Sequence, residues 1–222
     1  MEIRRLERPP KKILAGFRAI STSTISSVTD GLGVSCIING LRPLVSGVRI
    51  AGTAFTIKAV VGERGTYLGT DFPVGEVINL LEKDDILVCD LGGQQVSTMG
   101  GLGSLAMKLR GAAGMVVDGG IRDAEQIMHI GFPAYTRHVC ATTGVTRVKW
   151  QAINIPVEIG SLRVCPGDIV VADDTAVAVV PADKAGEILS HCQQREKLET
   201  QFEEELMKGG TFLEVSRKLK IM

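Results

Sequence analysis

Two short stretches near the middle of the chain contain the residues that could do chemistry. The first, MGGLGSLA (residues 99–106), places three glycines ahead of an apolar, helix-like segment. Glycines at the start of a helix let several backbone N–H groups face one space, and the helix N-terminus adds positive potential there. The candidate residues for binding a carboxylate or a phosphate are Gly100, Gly101, Leu102 and Gly103. A tight loop without a ligand is the alternative interpretation.

The same glycines fit neither of the two common nucleotide signatures well. A phosphate-binding P-loop needs Gly-Lys-Ser/Thr, which does not follow here. The spacing of Gly101, Gly103 and Ala106 matches the dinucleotide pattern, but in that fold the first glycine comes directly after a strand. Because we expect QQVSTM (residues 94–99) to separate the strand from the glycines, we do not expect NAD binding.

The second stretch is RGAAGMVVDGGIRDAEQI (residues 110–127), an apolar strand that ends in Arg122 and Asp123. An arginine binds carboxylates through a rigid fork and polarises a keto oxygen without giving up its proton. An aspartate is a hard oxygen ligand for a cation such as Mg²⁺, which keeps several waters and takes few protein ligands. Alternatively, Asp123 caps the helix that follows. The residues alone leave both interpretations open.

A third candidate lies in the last long helix. An apolar stripe there has helical spacing and includes Glu199 on the same face as Cys192 and Leu206. A carboxylate in such a stripe is either solvated beyond the body of the domain or delivered to something else, such as a neighbouring subunit. The histidines show no ligand spacing and are expected to have structural roles. They are His129, His138 and His191.

Composition excludes several classes of function. The 222 residues contain 25 Lys plus Arg and 25 Asp plus Glu, so no net charge draws the chain to nucleic acid or to anionic membranes. Aromatic residues are only 4%, which disfavours stacking on bases. Five scattered cysteines argue against a disulfide framework and for a reducing compartment. We therefore expect a soluble cytoplasmic protein with no membrane and no nucleic-acid partner.

The pattern of elements favours an α/β fold. Helical and strand-like segments alternate in the first half, and the second half is richer in short strands. We expect one compact domain over residues 1–222, with a charged leader at 1–12 and a C-terminal helix over 182–208. Strands are expected within 48–60, 85–93 and 115–120, and short helices before Gly111 and Gly131.

The segment GGLGSLAMKLRGAAGMVVDGGIRD, with GFPAYTR after it and PGDIVVAD later, resembles the RraA-like family. That family includes the 4-hydroxy-4-methyl-2-oxoglutarate aldolases and the regulators of ribonuclease E activity. The most specific part of the resemblance is a glycine, twenty intervening residues and then Arg-Asp, which Gly101, Arg122 and Asp123 satisfy. In aldolase members a carboxylate follows, and Gln126 stands at that position here. The fold implied is the swivelling-domain-like, layered β/β/α arrangement of this family.

The resemblance also implies a chemistry. It is that of a class II pyruvate aldolase that cleaves a 4-hydroxy-2-oxo acid and also decarboxylates oxaloacetate. Asp123 would bind Mg²⁺, Mn²⁺ or another divalent cation, and Arg122 would bind the pyruvyl half and stabilise its enolate. Backbone amides of Gly101, Leu102 and their neighbours would bind the substrate carboxylate.

The resemblance further implies a homo-oligomer, a trimer or a hexamer, in which Glu199 reaches the metal site of the next subunit. The alternative function within the same family is that of a non-catalytic regulatory protein that binds a ribonuclease.

Overall fold

The computed structural model describes residues 1–221. Its strands are β1 (Glu2–Ile3), β2 (Ile37–Ile38), β3 (Arg42–Pro43), β4 (Ile50–Val61), β5 (Asp85–Met99), β6 (Gly114–Ile121), β7 (Ala134–Val139), β8 (Val148–Ile153), β9 (Val157–Ile159), β10 (Leu162–Val164), β11 (Ile169–Ala172) and β12 (Val177–Val180). Its α-helices are α1 (Lys11–Phe17), α2 (Thr22–Gly31), α3 (Val74–Leu80), α4 (Gly101–Leu109), α5 (Ala124–Ile130), α6 (Ala185–Met207) and α7 (Phe212–Leu219). Short 3₁₀ turns cover Gly69–Asp71 and Ala182–Lys184.

The centre of the fold is a run of four parallel strands, β4, β5, β6 and β7, within a larger sheet. The strands β11, β12 and β2 extend this sheet beyond β4 in antiparallel pairs, and β3 closes the other edge on β7. Every residue of β6 is buried. A strand covered on both faces is mostly apolar, which is why GMVVDGGI shows no alternation of polar and apolar residues; its one charged residue, Asp118, is paired with Arg137.

Two different layers cover the central strands. On one face the helices α3, α4 and α5 contribute Val77, Met107 and Ile127 to a core cluster with residues of β4, β5 and β6. On the other face the β9–β10 hairpin buries Val157 and Val164 against the same strands. This arrangement confirms the expected β/β/α layering. It also fixes the carboxyl ends of the parallel strands as a rigid edge.

A third cluster attaches the C-terminal helix. Residues of α1, α2 and the first half of α6 pack on β11 and β12, with Phe17, Ile25, Ile188 and Cys192 fully buried. The long C-terminal helix is therefore confirmed, although its first turn is the 3₁₀ segment. Helix α7, which the sequence pattern did not suggest, folds back on α6 through Phe202 and Val215.

Two local expectations were wrong: one concerns the end of the strand before the glycines, and the other concerns the glycines themselves. Strand β5 does not stop at Gly92 but continues to Met99, with irregular register against β6 after Asp90. The glycines do not form a loop, because Gly101 is already the first residue of α4. Gly92 and Gly93 both have positive φ, so they bend the strand without ending it.

The cysteines behave as small apolar residues. Cys36, Cys89 and Cys192 are buried, and all five are free thiols. Burial raises the pKa of the Cys89 thiol to about 12, so this side chain stays protonated in the core. Within residues 1–221 no helix is both long enough and apolar enough to cross a membrane.

The charged leader is tied to the body of the fold by an ion pair. Arg8 donates from Nε and Nη2 to the two oxygens of Asp85, at 3.0 and 2.8 Å, and the Asp85 side chain is fully buried. Asp85 is the first residue of β5, the strand that carries Met99 at its other end. The pair therefore holds the N-terminal segment against a strand that leads to the candidate site.

Replacing Arg8 with alanine is expected to lower the free energy of unfolding by about 3 kcal/mol, because a buried carboxylate then loses its counter-ion. Chemical denaturation followed by circular dichroism measures this loss. Arg4→Ala is the matched control, since within residues 1–221 the Arg4 side chain pairs only with the exposed Glu2, and its loss should change stability little. Equal stabilities for the two variants would contradict the assignment of Arg8 as a clamp.

Candidate functional site

The candidate site lies where β5 and β6 end side by side. Met99 and Ile121 are register partners at the ends of these parallel strands, and the backbone N–H of Arg122 donates to the Met99 carbonyl at 3.0 Å. The glycine stretch and the Arg-Asp pair, which are separate in sequence, therefore meet at one edge of the sheet.

Asp123 does not cap its own helix. Its backbone is left-handed, with φ 57° and ψ 43°, and its side chain makes no capping hydrogen bond to α5. Instead, the backbone N–H of Gly101 donates to Asp123 Oδ2 at 3.0 Å, so the carboxylate lies at the N-terminus of the neighbouring helix α4. The interpretation of Asp123 as a simple cap of α5 is therefore wrong for its side chain. This hydrogen bond places the carboxylate at the positive end of the α4 dipole.

Arg122 extends beside this carboxylate. Its Nε is 3.5 Å from Asp123 Oδ2, and the two side chains are 46% and 42% exposed, so both can meet a ligand from solvent. Gly100 allows this close approach, because a Cβ at that position would lie 2.5 Å from Asp123 Oδ2 and 3.0 Å from Arg122 Nε. A glycine at position 100 is thus needed to let the pair sit against the backbone.

The first turn of α4 supplies the remaining donors. The N–H of Gly101 is committed to Asp123, whereas the N–H groups of Leu102 and Gly103 donate to no other group within residues 1–221. The first N–H groups of a helix have no partner inside the helix and are free for an anion. Of the glycine stretch, it is therefore Leu102 and Gly103 that can bind a carboxylate.

These groups line a cleft of about 430 Å³. Beyond the residues expected from the sequence, its walls come from the end of β5, the start of α3 and the loop after β7. The added residues are Phe72, Val74, Gly75, Ser97, Thr98, Met99, Thr143, Gly144 and Val145. Ser97 and Thr98 lie three and two positions before Gly100 in the sequence, with Met99 between, so their closeness to the glycines was a detectable signal. The other walls come from segments that only the tertiary fold brings near.

Gln126 packs on the start of α4 without lining the cleft. Its side chain lies across Gly101, where an added Cβ would come within 2.8 Å of Gln126 Cγ. The amide of Gln126 and the carboxylate of Asp123 thus flank the same residue. An acid at position 126 would add a second negative charge at this helix end.

For the divalent cation that the family resemblance implies at Asp123, Gln126→Glu is expected to tighten the binding of Mg²⁺ or Mn²⁺ several-fold, since carboxylate count raises affinity for hard cations. Isothermal titration calorimetry with the metal alone measures this change. Met128→Glu adds the same charge on the same helix at an exposed position and should leave the affinity unchanged. Equal effects of the two substitutions would show that Gln126 has no special relation to the site.

Glu199 lies elsewhere in the described chain. It accepts a hydrogen bond from Arg195 Nε at 2.8 Å and lines an apolar groove between α6 and α7 with Phe202, Leu206 and Phe212. It is not among the residues that line the cleft of its own chain. Within residues 1–221 no group of three or more His, Cys, Asp or Glu side chains forms a ready metal site.

The separation of the glycines from the strand, which was the reason not to expect NAD binding, was also predicted wrongly. Because β5 runs to Met99, only Gly100 separates the strand from α4. The class of protein must therefore be decided by the whole fold and not by this spacing. That class is defined by a mixed α/β fold whose parallel strands are covered on one face by the β9–β10 hairpin. Its site is an Arg-Asp pair that faces a glycine-rich helix end.

The family model RraA-like, described as Aldolase/RraA, matches residues 22–179, and the chain belongs to this family. A relative from Halalkalibacterium halodurans, named putative 4-hydroxy-4-methyl-2-oxoglutarate aldolase, is 28% identical over 184 aligned residues, and the match covers 81% of each chain.

Solved structures agree on the fold. An uncharacterised protein from Pseudomonas syringae pv. tomato has a TM-score of 0.87 at 21% identity and covers 97% of both chains. Streptomyces coelicolor RraAS2, described as an unusual member of the RNase ES inhibitor RraA protein family, has a TM-score of 0.78 at 27% identity. That match covers 88% of this chain and 98% of the other.

Proposed function

We propose that this protein is a divalent-metal-dependent lyase that cleaves 4-hydroxy-2-oxo acids to pyruvate and also decarboxylates oxaloacetate. The observation that carries the proposal is the juxtaposition of Arg122, Asp123 and the free N–H groups of α4 in one open cleft. Membership of a family with aldolase members supports it.

In the proposed cleavage, each of these cleft residues has a separate role. The N–H groups of Leu102 and Gly103 bind the substrate carboxylate, and Arg122 donates to the 2-keto oxygen. Cleavage breaks the C3–C4 bond, and its electron pair forms the enolate of pyruvate, whose negative oxygen Arg122 stabilises. The C4 hydroxyl becomes a carbonyl and loses its proton to a water held by Asp123. C3 then takes a proton from solvent.

The charges of the site fit a divalent cation. Arg122 and Asp123 offset each other, so a bound 2-oxo acid leaves one unbalanced negative charge. Asp123 Oδ2 is occupied by Gly101, whereas Oδ1 accepts no hydrogen bond from residues 1–221 and is free to hold the ion. A single carboxylate suits Mg²⁺, which keeps most of its waters. When bound, the cation would supply Lewis-acid polarisation of the keto oxygen.

The test is a pyruvate-release assay with purified protein on a panel of 4-hydroxy-2-oxo acids and on oxaloacetate, with Mg²⁺ and with a chelator. We expect pyruvate release in the presence of Mg²⁺ and none in the presence of the chelator. No release from any member of the panel, with the metal present, would reject the lyase.

We also propose that the active form is a homo-oligomer, a trimer or a hexamer, in which Glu199 serves a neighbouring subunit. The apolar side chains of α6 and α7 that remain exposed support this, because a large exposed apolar patch marks an interface. They are Leu198, Leu206, Met207, Phe212 and Leu213.

Glu199→Gln is therefore expected to lower metal-dependent pyruvate release about 10-fold, the effect of losing a supporting group at a metal site. Gln can still accept from Arg195, so folding should not change. Glu203→Gln, which alters another acid of the same groove, is the control and should retain full activity. Normal activity of Glu199→Gln in a protein shown to be oligomeric by light scattering would reject this role.

A second function, that of a ribonuclease-binding regulator, is favoured by two observations. Gln126 replaces the acid of the aldolase motif, and the Streptomyces relative is described as a member of an RNase ES inhibitor family. Capture of an endoribonuclease by the protein, without turnover of oxaloacetate, would support this function over the lyase.

A further inference from the structure

The charge inventory of the cleft restricts the part of a substrate that lies beyond C4. Among the lining residues of the described chain, Arg122 is the only cation and Asp123 the only anion. Under the proposed function, Arg122 and the N–H groups of α4 are used by the pyruvyl half. No cation of the lining is then left for a second carboxylate.

The remaining walls are apolar or neutral. Phe72 and Val74 form one side, and Leu102 and Val145 are exposed at the mouth, at 76% and 49%. Ser97, Thr98 and Thr143 are the polar members of this part, and all three are uncharged. Exposed aliphatic side chains at the mouth of a cleft favour an apolar group of the ligand over water.

The two cationic side chains that follow the lining residue Val145 most closely in sequence already have partners. Arg147 donates from Nη1 to the Thr143 carbonyl at 3.3 Å, and Lys149 pairs with Asp71 at 3.3 Å. Neither lines the cleft. In the proposed function the divalent cation would be held by Asp123 and used by the pyruvyl half, so a carboxylate at C4 would lose water without gaining a counter-ion from the cleft residues of this chain.

We propose that the site selects 4-hydroxy-2-oxo acids whose substituents at C4 are neutral and apolar over those that carry a second carboxylate there. This specificity rests on the proposed function, because it assigns Arg122 to the pyruvyl half. Leu102 and Val145 are the specificity-determining residues.

The test uses two substrates that differ in one group. 4-Hydroxy-4-methyl-2-oxopentanoate is cleaved to pyruvate and acetone, and 4-hydroxy-4-methyl-2-oxoglutarate is cleaved to two molecules of pyruvate, so its turnovers are half the pyruvate counted. We expect kcat/KM to favour the first by roughly 10-fold or more. A preference for the dicarboxylate would overturn the proposal.

The intrinsic reactivities of the two substrates are the same for every variant. Comparing the kcat/KM ratio between charge variants and the wild type therefore cancels that difference. Leu102→Arg is expected to move the kcat/KM ratio about fivefold toward the dicarboxylate, the effect of one partly exposed ion pair. Leu109→Arg adds the same charge to an exposed leucine of the same helix outside the cleft and should leave the ratio unchanged. Val145→Arg, on another wall, gives a second test if Leu102→Arg does not fold.

Failure of the specificity is distinguishable from failure of the proposed function. Exchange of the pyruvate methyl protons with solvent deuterium depends on the pyruvyl half alone. Exchange together with a preference for the dicarboxylate, or with a ratio that neither cleft variant moves, rejects the specificity and leaves the lyase standing. With no exchange and no cleavage of either substrate, both proposals fall.

Discussion

Replacing Arg122 with alanine is expected to lower kcat for pyruvate release by about 10²–10³-fold, the usual effect of removing a donor to a developing oxyanion. Arg122 is the only cation that lines the cleft in the described chain, so no neighbour can replace its charge. Steady-state kinetics with a coupled pyruvate assay measure the loss.

The fold should survive this change. The Arg122 side chain is half-exposed and forms an ion pair with Asp123 at 3.5 Å, so it contributes little to the free energy of unfolding. Arg122→Lys keeps the charge but loses the planar fork, and an intermediate activity is expected. Arg64→Ala removes an exposed arginine outside the cleft lining and should be fully active. Wild-type activity in Arg122→Ala would remove this residue from the mechanism.

Asp123→Asn is expected to lower pyruvate release by at least about 10²-fold and to abolish its dependence on added Mg²⁺, the result of removing a charged metal ligand. Asparagine is the informative replacement for two reasons. It tolerates the left-handed backbone of residue 123, and its side-chain oxygen can still accept from the Gly101 N–H. The substitution thus removes the charge and keeps the local structure.

Asp123→Ala should behave differently, because it also loses the hydrogen bond to α4 and strains a left-handed position. We expect a loss of about 1–2 kcal/mol in the free energy of unfolding for the alanine variant. Thermal denaturation of both variants separates the two effects. An Asp123→Asn protein that retains metal-dependent activity would contradict the role of the carboxylate.

It could be predicted from the sequence that the glycine stretch (residues 99–106) and the Arg-Asp pair lie side by side in the fold. Continuous apolar runs are typical of strands buried in a parallel sheet, and the Gly101 to Arg122 spacing resembles that of the RraA-like family. Met99 and Ile121 do pair at adjacent strand ends, as this requires. Local patterns of this kind depend only on residues close in the chain.

Other features depend on tertiary contacts and escaped prediction. Gly92 and Gly93 are typical strand breakers, yet β6 pairs with the segment beyond them and keeps it extended. The Asp123 side chain faces the helix beside it, which no property of its own segment indicates. The walls formed by Phe72 and Val145 come from segments far apart in sequence. The subunit contact proposed for Glu199 lies beyond any single chain.

The central claim is that Arg122 and Asp123 form an enolate-stabilising site for a pyruvyl group. Proton NMR of pyruvate in D₂O tests it most directly, since loss of the methyl signal reports enolate formation without any distal part of the substrate. We expect wild-type protein with Mg²⁺ to exchange the methyl protons, and chelator, Arg122→Ala and Asp123→Asn each to stop this exchange. Exchange that persists at the wild-type rate in both variants would contradict the claim.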